Sequence, residues 1–184
     1  MKAWLTIVYI SIFSVCAKAQ TEKKKKGIAP HHVKLQFAGT IGFISVGTGY
    51  EFAKKKLQAD FFYGYVPEKI GGINIHSISG KLTWMPVSIQ SNNYKFDLLT
   101  TGLLVNYAFG KQYDLSLGSF DYYGFPTAAH IAFFAGGGIT RNKFGLYYEL
   151  GITDRELISF ASNSKGIKFH EIINIGIGAR LSLR

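Results

Sequence analysis

Apolar residues alternate with polar or small residues along most of the chain from Val33 onward, and long stretches of helical periodicity are absent. The C-terminal segment has the clearest pattern, because every second residue from Ile173 to Leu183 is apolar while Asn174 and Arg180 lie between them. Successive side chains of a strand point to opposite faces, so this segment has one apolar and one polar face. The pattern predicts an antiparallel β protein built from amphipathic strands.

Residues 128–152 predict an antiparallel hairpin around a polar turn at residues 140–143. Placing Thr140 opposite Lys143 keeps both faces coherent, whereas a slip of one residue would turn every side chain over. The apolar face then comprises Ile131, Phe133, Ala135, Ile139, Leu146, Tyr148, Leu150 and Ile152. On the other face Gly136 lies opposite Tyr147, and we expect this ring to cover the gap that the glycine leaves.

Further segments have the same alternation. Residues 44–52 are predicted to pair with residues 57–65, with Phe52 opposite Leu57. Residues 96–109 form another strand, and residues 73–85 form one whose apolar phase changes near Ser77, which indicates a β-bulge. The pattern breaks at residues 153–163, where Thr153 and Glu156 match a capping box and predict a two-turn helix.

The number of strands depends on residues 33–52. Twenty extended residues would span roughly 66 Å, far more than the ~9–11 residues of a membrane-barrel strand. The apolar phase changes between Phe43 and Ile44, close to Gly39 and Gly42. A tight turn there gives eight strands, and a bulge in one long strand gives seven; the sequence leaves both open.

Residues 1–19 have the features of a secretory signal peptide: a lysine at position 2, a short apolar core and an Ala-Lys-Ala cleavage site. A lipoprotein acylated on Cys16 would need a small residue before it, where this chain has Val15. Residues 20–32 are predicted to form a lysine-rich periplasmic linker, with His31 and His32 as a flexible pair at its end. Residues 33–184 form the folded domain.

Basic residues predominate in the predicted mature chain. Removing Lys2 and Lys18 from the 21 basic residues leaves 19 against 11 acidic residues, a net charge of +8. Seven of these charges lie in two lysine runs, at residues 23–26 and 54–56. Because the chain is exported, nucleic acid is excluded as the partner, and anionic lipid headgroups are the expected one.

The signal peptide, about eight amphipathic strands, glycine-rich hairpins and aromatic faces resemble small bacterial outer-membrane β-barrel proteins. The resemblance implies an all-β, antiparallel up-and-down transmembrane barrel that is inserted into the outer membrane by the barrel-assembly machinery. It also implies short periplasmic turns, at residues 53–56 and 141–143, and long extracellular loops, at residues 110–127 and 153–168. The alternative is a secreted lipocalin-like barrel, in which the apolar face would point inward around a ligand.

One segment suggests catalysis. The sequence His76-Ser77-Ile78-Ser79 is similar to the His-x-Ser arrangement of lipid A deacylases, which are outer-membrane barrels that hydrolyse an acyl ester. An imidazole beside a hydroxyl on one strand face could deprotonate it. In a regular strand, however, His76 points away from Ser77 and Ser79, so the hypothesis requires a bulge. No metal or nucleotide motif is present, and we expect no cofactor.

The remaining polar positions predict a plugged lumen and a binding surface. We expect a hydrogen-bonded plug, because small barrels are filled by side chains, and within it an ion pair between Glu149 and Arg180. Its predicted members are Gln58, Asp60, His130, Glu149, Asn174 and Arg180. The aromatic residues predicted to bind an unidentified extracellular ligand are Tyr113, Tyr122, Tyr123 and Phe125.

Overall fold

The computed structural model describes residues 29–109, 129–162 and 172–183. Two short α-helices, α1 (Glu68–Gly71) and α2 (Asp154–Ser162), and a 3-10 turn (Ala53–Lys55) accompany the strands. The strands are β1 (His32–Ala38), β2 (Ile44–Phe52), β3 (Leu57–Val66), β4 (Ile75–Ser91), β5 (Tyr94–Phe109), β6 (Ala129–Arg141), β7 (Phe144–Thr153) and β8 (Asn174–Ser182).

The eight strands in the described ranges are hydrogen-bonded in chain order, and β1 also pairs with β8, so the sheet closes into a barrel. The predicted fold class, an all-β antiparallel up-and-down barrel of eight strands, is therefore confirmed. Residues 33–52 contain two strands, so the single bulged strand is wrong. The chain reverses between them because Gly39 and Gly42 adopt φ angles of +86° and +154°, which other residues rarely adopt.

The barrel is polar inside and apolar outside. Ile175 and Ile177 of β8 are 60% and 59% exposed on the outer surface, and all eight strands carry exposed apolar side chains. Inside, Asp60 and Lys81 are only 5% and 3% exposed. The lipocalin-like alternative requires the opposite distribution and is wrong.

The predicted register is correct for one of the two hairpins and wrong for the other. The β2–β3 pairing is confirmed from Phe52 opposite Leu57 to Ile44 opposite Tyr65. The β6–β7 register is wrong by two residues, because Arg141 pairs with Phe144 and the turn contains only residues 142 and 143. Asn142 permits this tight turn with a φ of +54°, a region that asparagine tolerates. A shift by two residues leaves the predicted faces unchanged.

The correction changes which glycine Tyr147 covers. Gly136 pairs with Glu149, whereas Tyr147 lies opposite Gly138 on β6 and Gly178 on β8. A Cβ atom on Gly178 would overlap the Tyr147 ring, so this glycine provides the space that the ring occupies inside the barrel.

The predicted bulge near Ser77 is absent. Pairing between β3 and β4 runs without interruption until Leu57 meets Trp84, and the irregularity in β4 lies between Trp84 and Ser88. This stretch contains Pro86, which has no N–H group for a regular ladder.

A turn of five residues, 39–43, closes one end of the barrel, which we call the cap end. Ile41 is 2% exposed and forms a buried apolar cluster with Phe62, Leu104 and Ala132. Its carbonyl oxygen accepts a hydrogen bond from Ser77 Oγ at 2.6 Å. The helices α1 and α2 lie in connections at this end. The opposite end, the turn end, carries the short connections at residues 53–56, 92–93 and 142–143. In the described part of the chain, no helix is both long and apolar enough to cross a membrane.

Candidate functional site

Four of the six polar residues predicted for the lumen lie there. Gln58 and Asp60 project inward from β3, Glu149 from β7 and Arg180 from β8; the first two are buried and the last two are largely so. His130 and Asn174 lie instead at the cap end, beside α2. We call the buried polar side chains between the cap turn and the turn end the lumen network.

Asp60 is the centre of the first part of the network. Its carboxylate accepts a hydrogen bond from Lys34 Nζ at 2.7 Å and lies 2.5 Å from His32 Nε2. Lys34 also donates to Gln58 Oε1 at 2.8 Å. The side chains of His32 and Asp60 are completely buried, so the prediction of a flexible histidine pair is wrong for His32, which is the first residue of β1.

The second part of the network surrounds Lys81 of β4. Its ammonium group forms an ion pair with Glu149 and lies 4.5 Å from the centre of the Phe134 ring, with the rings of Phe62 and Tyr147 at 5.5 and 5.6 Å. An ammonium group so enclosed is stabilised by the carboxylate and by the negative faces of the rings.

Arg180 forms the third ion pair, with Glu51 of β2. The predicted Glu149–Arg180 pair is not formed. Glu149 lies opposite Gly176, four residues along β8 from Arg180, or about 13 Å at the rise of a strand. In these pairs three cations are matched by three carboxylates: Lys34 with Asp60, Lys81 with Glu149 and Arg180 with Glu51.

At the cap end, α2 begins with the predicted capping box. The Thr153 N–H group donates to Glu156 Oε2 at 2.8 Å, and the Glu156 N–H group donates to Thr153 Oγ1 at 3.3 Å. The same carboxylate accepts hydrogen bonds from Asn174 Nδ2 at 2.7 and 2.8 Å, which ties the helix to β8. His130 Nδ1 lies 3.9 Å from an Asp154 carboxylate oxygen. These two predicted lumen residues therefore anchor the helix.

Sequence reasoning missed four charged or ring-bearing residues of the network: His32, Lys34, Glu51 and Lys81. The signal was available in β1, where Lys34 and Gln36 alternate with apolar residues. Lys81 points into the lumen on the same face of β4 as Ser77 and Ser79. It was missed because a bulge predicted at Ser77 left the face of the following residues undetermined.

The candidate catalytic residues of β4 point to opposite sides of the barrel wall. Ser77 Oγ donates to the cap turn and Ser79 Oγ donates to Asn106 Oδ1 at 2.7 Å, both inside. His76 lies outside, where its Nδ1 is 2.6 Å from the Tyr63 hydroxyl oxygen. The described residues place no carboxylate within 4.0 Å of the His76 ring nitrogens. No bulge brings His76 to either serine.

The four predicted binding aromatics, Tyr113, Tyr122, Tyr123 and Phe125, lie outside the described residues. Among the residues that are described, no cluster of three or more histidine, cysteine or acidic side chains could hold a metal ion.

No family model matches this chain, and no curated protein is significantly similar to it in sequence. A search of solved structures found similarity to a crystal structure of the outer membrane enzyme PagL, with 12% sequence identity and a TM-score of 0.45. The match covers 83% of this chain and 99% of the PagL chain. At this identity we transfer no functional residue from PagL.

Proposed function

We propose that the protein is an integral outer-membrane barrel with a plugged lumen that binds a ligand at the cell surface through its cap end. The observation that carries the proposal is the apolar outer wall around a buried polar lumen. Large apolar side chains that are 40–60% exposed on every strand would be unfavourable in water, whereas hydrocarbon solvates them and the closed sheet leaves no unpaired edge.

Orientation follows from the connections. With an even number of strands, both chain ends lie on the periplasmic side, together with the short connections of the turn end. The cap end, with α1 and α2, then faces outward, as the prediction of extracellular loops at residues 110–127 and 153–168 requires. Ile70 of α1 and Leu157 of α2 are 56% and 50% exposed there, which supports a contact role for this end.

Membrane insertion can be tested with a charge placed at two depths. Ile177 lies midway along β8 and Leu183 lies just beyond its end, and both are exposed on the apolar side. Ile177→Lys should lower the free energy of unfolding in lipid vesicles by about 2–4 kcal/mol, and the control Leu183→Lys by about 0–1 kcal/mol. Equal effects, or release of the wild-type protein from membranes by carbonate without detergent, would contradict insertion.

Topology and surface binding can be tested in intact cells. The predicted mature chain has no cysteine, so Ser119→Cys in the predicted extracellular loop of residues 110–127 and Asn142→Cys at the turn end can each be labelled specifically. A membrane-impermeant maleimide should label position 119 in intact cells and position 142 only after permeabilisation. A photoreactive maleimide at position 119 should then yield a crosslinked adduct that disappears when the four loop aromatics are changed to serine. An adduct that persists would refute the loop role.

A second candidate is acyl-ester hydrolysis at the outer wall. The observation that favours it is the His76–Tyr63 hydrogen bond on the lipid-facing surface, because an imidazole can activate a hydroxyl. The same geometry is also that of a hydrogen-bonded aromatic girdle, in which His76 lies 5.1 Å from the Tyr65 ring and 5.8 Å from the Phe109 ring. His76→Ala should change the acylation of host lipid A, measured by mass spectrometry, only if the chain is such an enzyme.

A further inference from the structure

A cavity of about 440 Å³ opens at the turn end of the barrel, and we call it the vestibule. Side chains from all three short connections and from the end of β8 line it. Its charged lining residues are Glu51, Lys54, Lys55, Lys95 and Arg180, and most of the others carry amide or hydroxyl groups. The cavity is therefore polar and basic, unlike the outer wall of the barrel.

Among the described residues, Glu51 in the vestibule and Asp97 beside its Lys95 are both already paired. Glu51 binds Arg180 and lies 4.0 Å from Lys55 Nζ. Asp97 lies 2.9 Å from Lys95 Nζ and accepts a hydrogen bond from Ser88 Oγ. Four cations thus face two carboxylates, and within the described residues Lys54 has no ion-pair partner. An anion entering the vestibule would meet two positive charges that the protein does not neutralise.

The turn that carries these lysines has an unusual backbone. Ala53, Lys54 and Lys55 have φ angles of +48°, +57° and +67°, whereas the other two short connections each use a single asparagine with positive φ. The left-handed conformation costs non-glycine residues roughly 1–2 kcal/mol each, and such strain tends to persist where it serves a site. Here it holds two lysines, rather than glycines, at the edge of the vestibule.

The vestibule lies next to a smaller cavity of about 40 Å³ inside the lumen, and Thr140 and Arg180 line both. Beyond that cavity the lumen network and the apolar cluster under the cap turn fill the barrel. In the described part of the barrel these side chains lie between the vestibule and the cap end, so we expect a ligand to bind in the vestibule rather than to pass through the lumen.

We propose that the vestibule binds an oxyanion, a carboxylate or phosphate carried on a molecule with further hydrogen-bonding groups, from the periplasmic side. The side-chain amides of Asn92, Asn93 and Asn142 provide donors and acceptors for those further groups. The assignment to the periplasm rests on the orientation proposed above. The oxyanion can come from a soluble molecule or from the headgroup of an anionic phospholipid.

The test uses the mature protein in nanodiscs of zwitterionic lipid, titrated with citrate and with inorganic phosphate. Binding is followed by the NMR signals of the asparagine side-chain amides. We expect saturable shifts, and an affinity for citrate about tenfold weaker in the double variant Lys54→Gln/Lys55→Gln. The matched control, Lys56→Gln/Lys143→Gln, removes two exposed lysines at the same end that do not line the cavity, and its affinity should change less than twofold.

Each other result has a fixed meaning. Equal weakening of citrate binding in both double variants would overturn the proposal and indicate a general surface potential. If neither citrate, phosphate nor nanodiscs of phosphatidylglycerol shifted the amide signals, the proposal would also be overturned, because no anion would bind in the vestibule. Shifts seen only with phosphatidylglycerol would support the site and identify its source as the lipid phosphate. Failure here, with cysteine labelling as expected, would leave the proposed surface function intact.

Discussion

The buried pair of Lys34 and Asp60 gives the sharpest test of how the lumen is held together. The variants to compare are Asp60→Val, Lys34→Met and the two combined. Asp60→Val leaves the Lys34 ammonium group without a carboxylate, and Lys34→Met leaves the Asp60 carboxylate with only His32 beside it. Neither remaining charge can reach water, because the Asp60 side chain is fully buried and that of Lys34 is only 5% exposed. The double substitution removes both charges and keeps similar volumes.

The expected magnitudes follow from this burial. Breaking a buried pair by removing one partner costs about 3–5 kcal/mol, whereas replacing both with apolar groups is often close to neutral. The double variant also leaves His32 without its acceptor, a loss of about 1 kcal/mol. We therefore expect the free energy of unfolding to fall by about 3–5 kcal/mol in each single variant and by only about 1–2 kcal/mol in the double variant.

Unfolding by urea in detergent micelles can be followed through Trp84, which is the one tryptophan of the predicted mature chain and is 53% exposed on the outer wall. Lys55→Met is the control, because that lysine is 69% exposed and lies 4.0 Å from Glu51, so its loss should cost at most about 1 kcal/mol. Single variants that lose less than this control, or a double variant whose loss equals the sum of the two, would refute the reasoning.

Two further predictions concern packing and capping. Gly47→Ala would force a Cβ atom into the ring of Phe62, so it should lower the free energy of unfolding by about 1–3 kcal/mol. The control is Gly80→Ala, whose Cβ atom meets nothing within 4 Å and should leave that free energy unchanged. Urea unfolding of both variants measures the difference. Thr153→Ala removes one half of the capping box and should destabilise α2 by about 1 kcal/mol. Amide hydrogen exchange should then accelerate in residues 154–162 and stay unchanged in β3, and a uniform acceleration would contradict a local role.

The faces of the strands could be predicted from the sequence because they depend only on a period of two. This is why Ile177 and Arg180 were assigned to the correct sides of β8 before the pairing was known. Register depends on turn chemistry, and for β6 and β7 the positive φ of Asn142 allows a tighter turn than the one predicted. Pro86 indicates in the sequence where the irregularity of β4 lies. The bulge was instead predicted near Ser77, because the apolar phase changes there.

The pairing of charges inside the lumen could not be predicted in the same way. Lys81 and Glu149 are 68 residues apart, and Arg180 and Glu51 are 129 residues apart. Which of them meet depends on the height at which each strand presents its side chain, and therefore on the register of every hairpin between them. The sequence indicates that these residues point inward, but only the closed barrel determines their partners.

In the described part of the chain, the lumen is filled near the cap end and open at the turn end, so we expect a ligand to enter it from the turn end. Apolar side chains under the cap turn and three ion pairs below it leave little free space, whereas the turn end opens into a vestibule with unneutralised lysines. Lys54 and Lys55 adopt the left-handed conformation although glycine would relieve the strain at both positions, and this agrees with a binding role for the vestibule. Because the described apolar cluster and ion pairs lie between the two ends, binding at the cap end and binding in the vestibule should be independent. A ligand saturating the vestibule should therefore leave crosslinking at position 119 unchanged, and coupling between the two would require a movement of the lumen network that its buried ion pairs oppose.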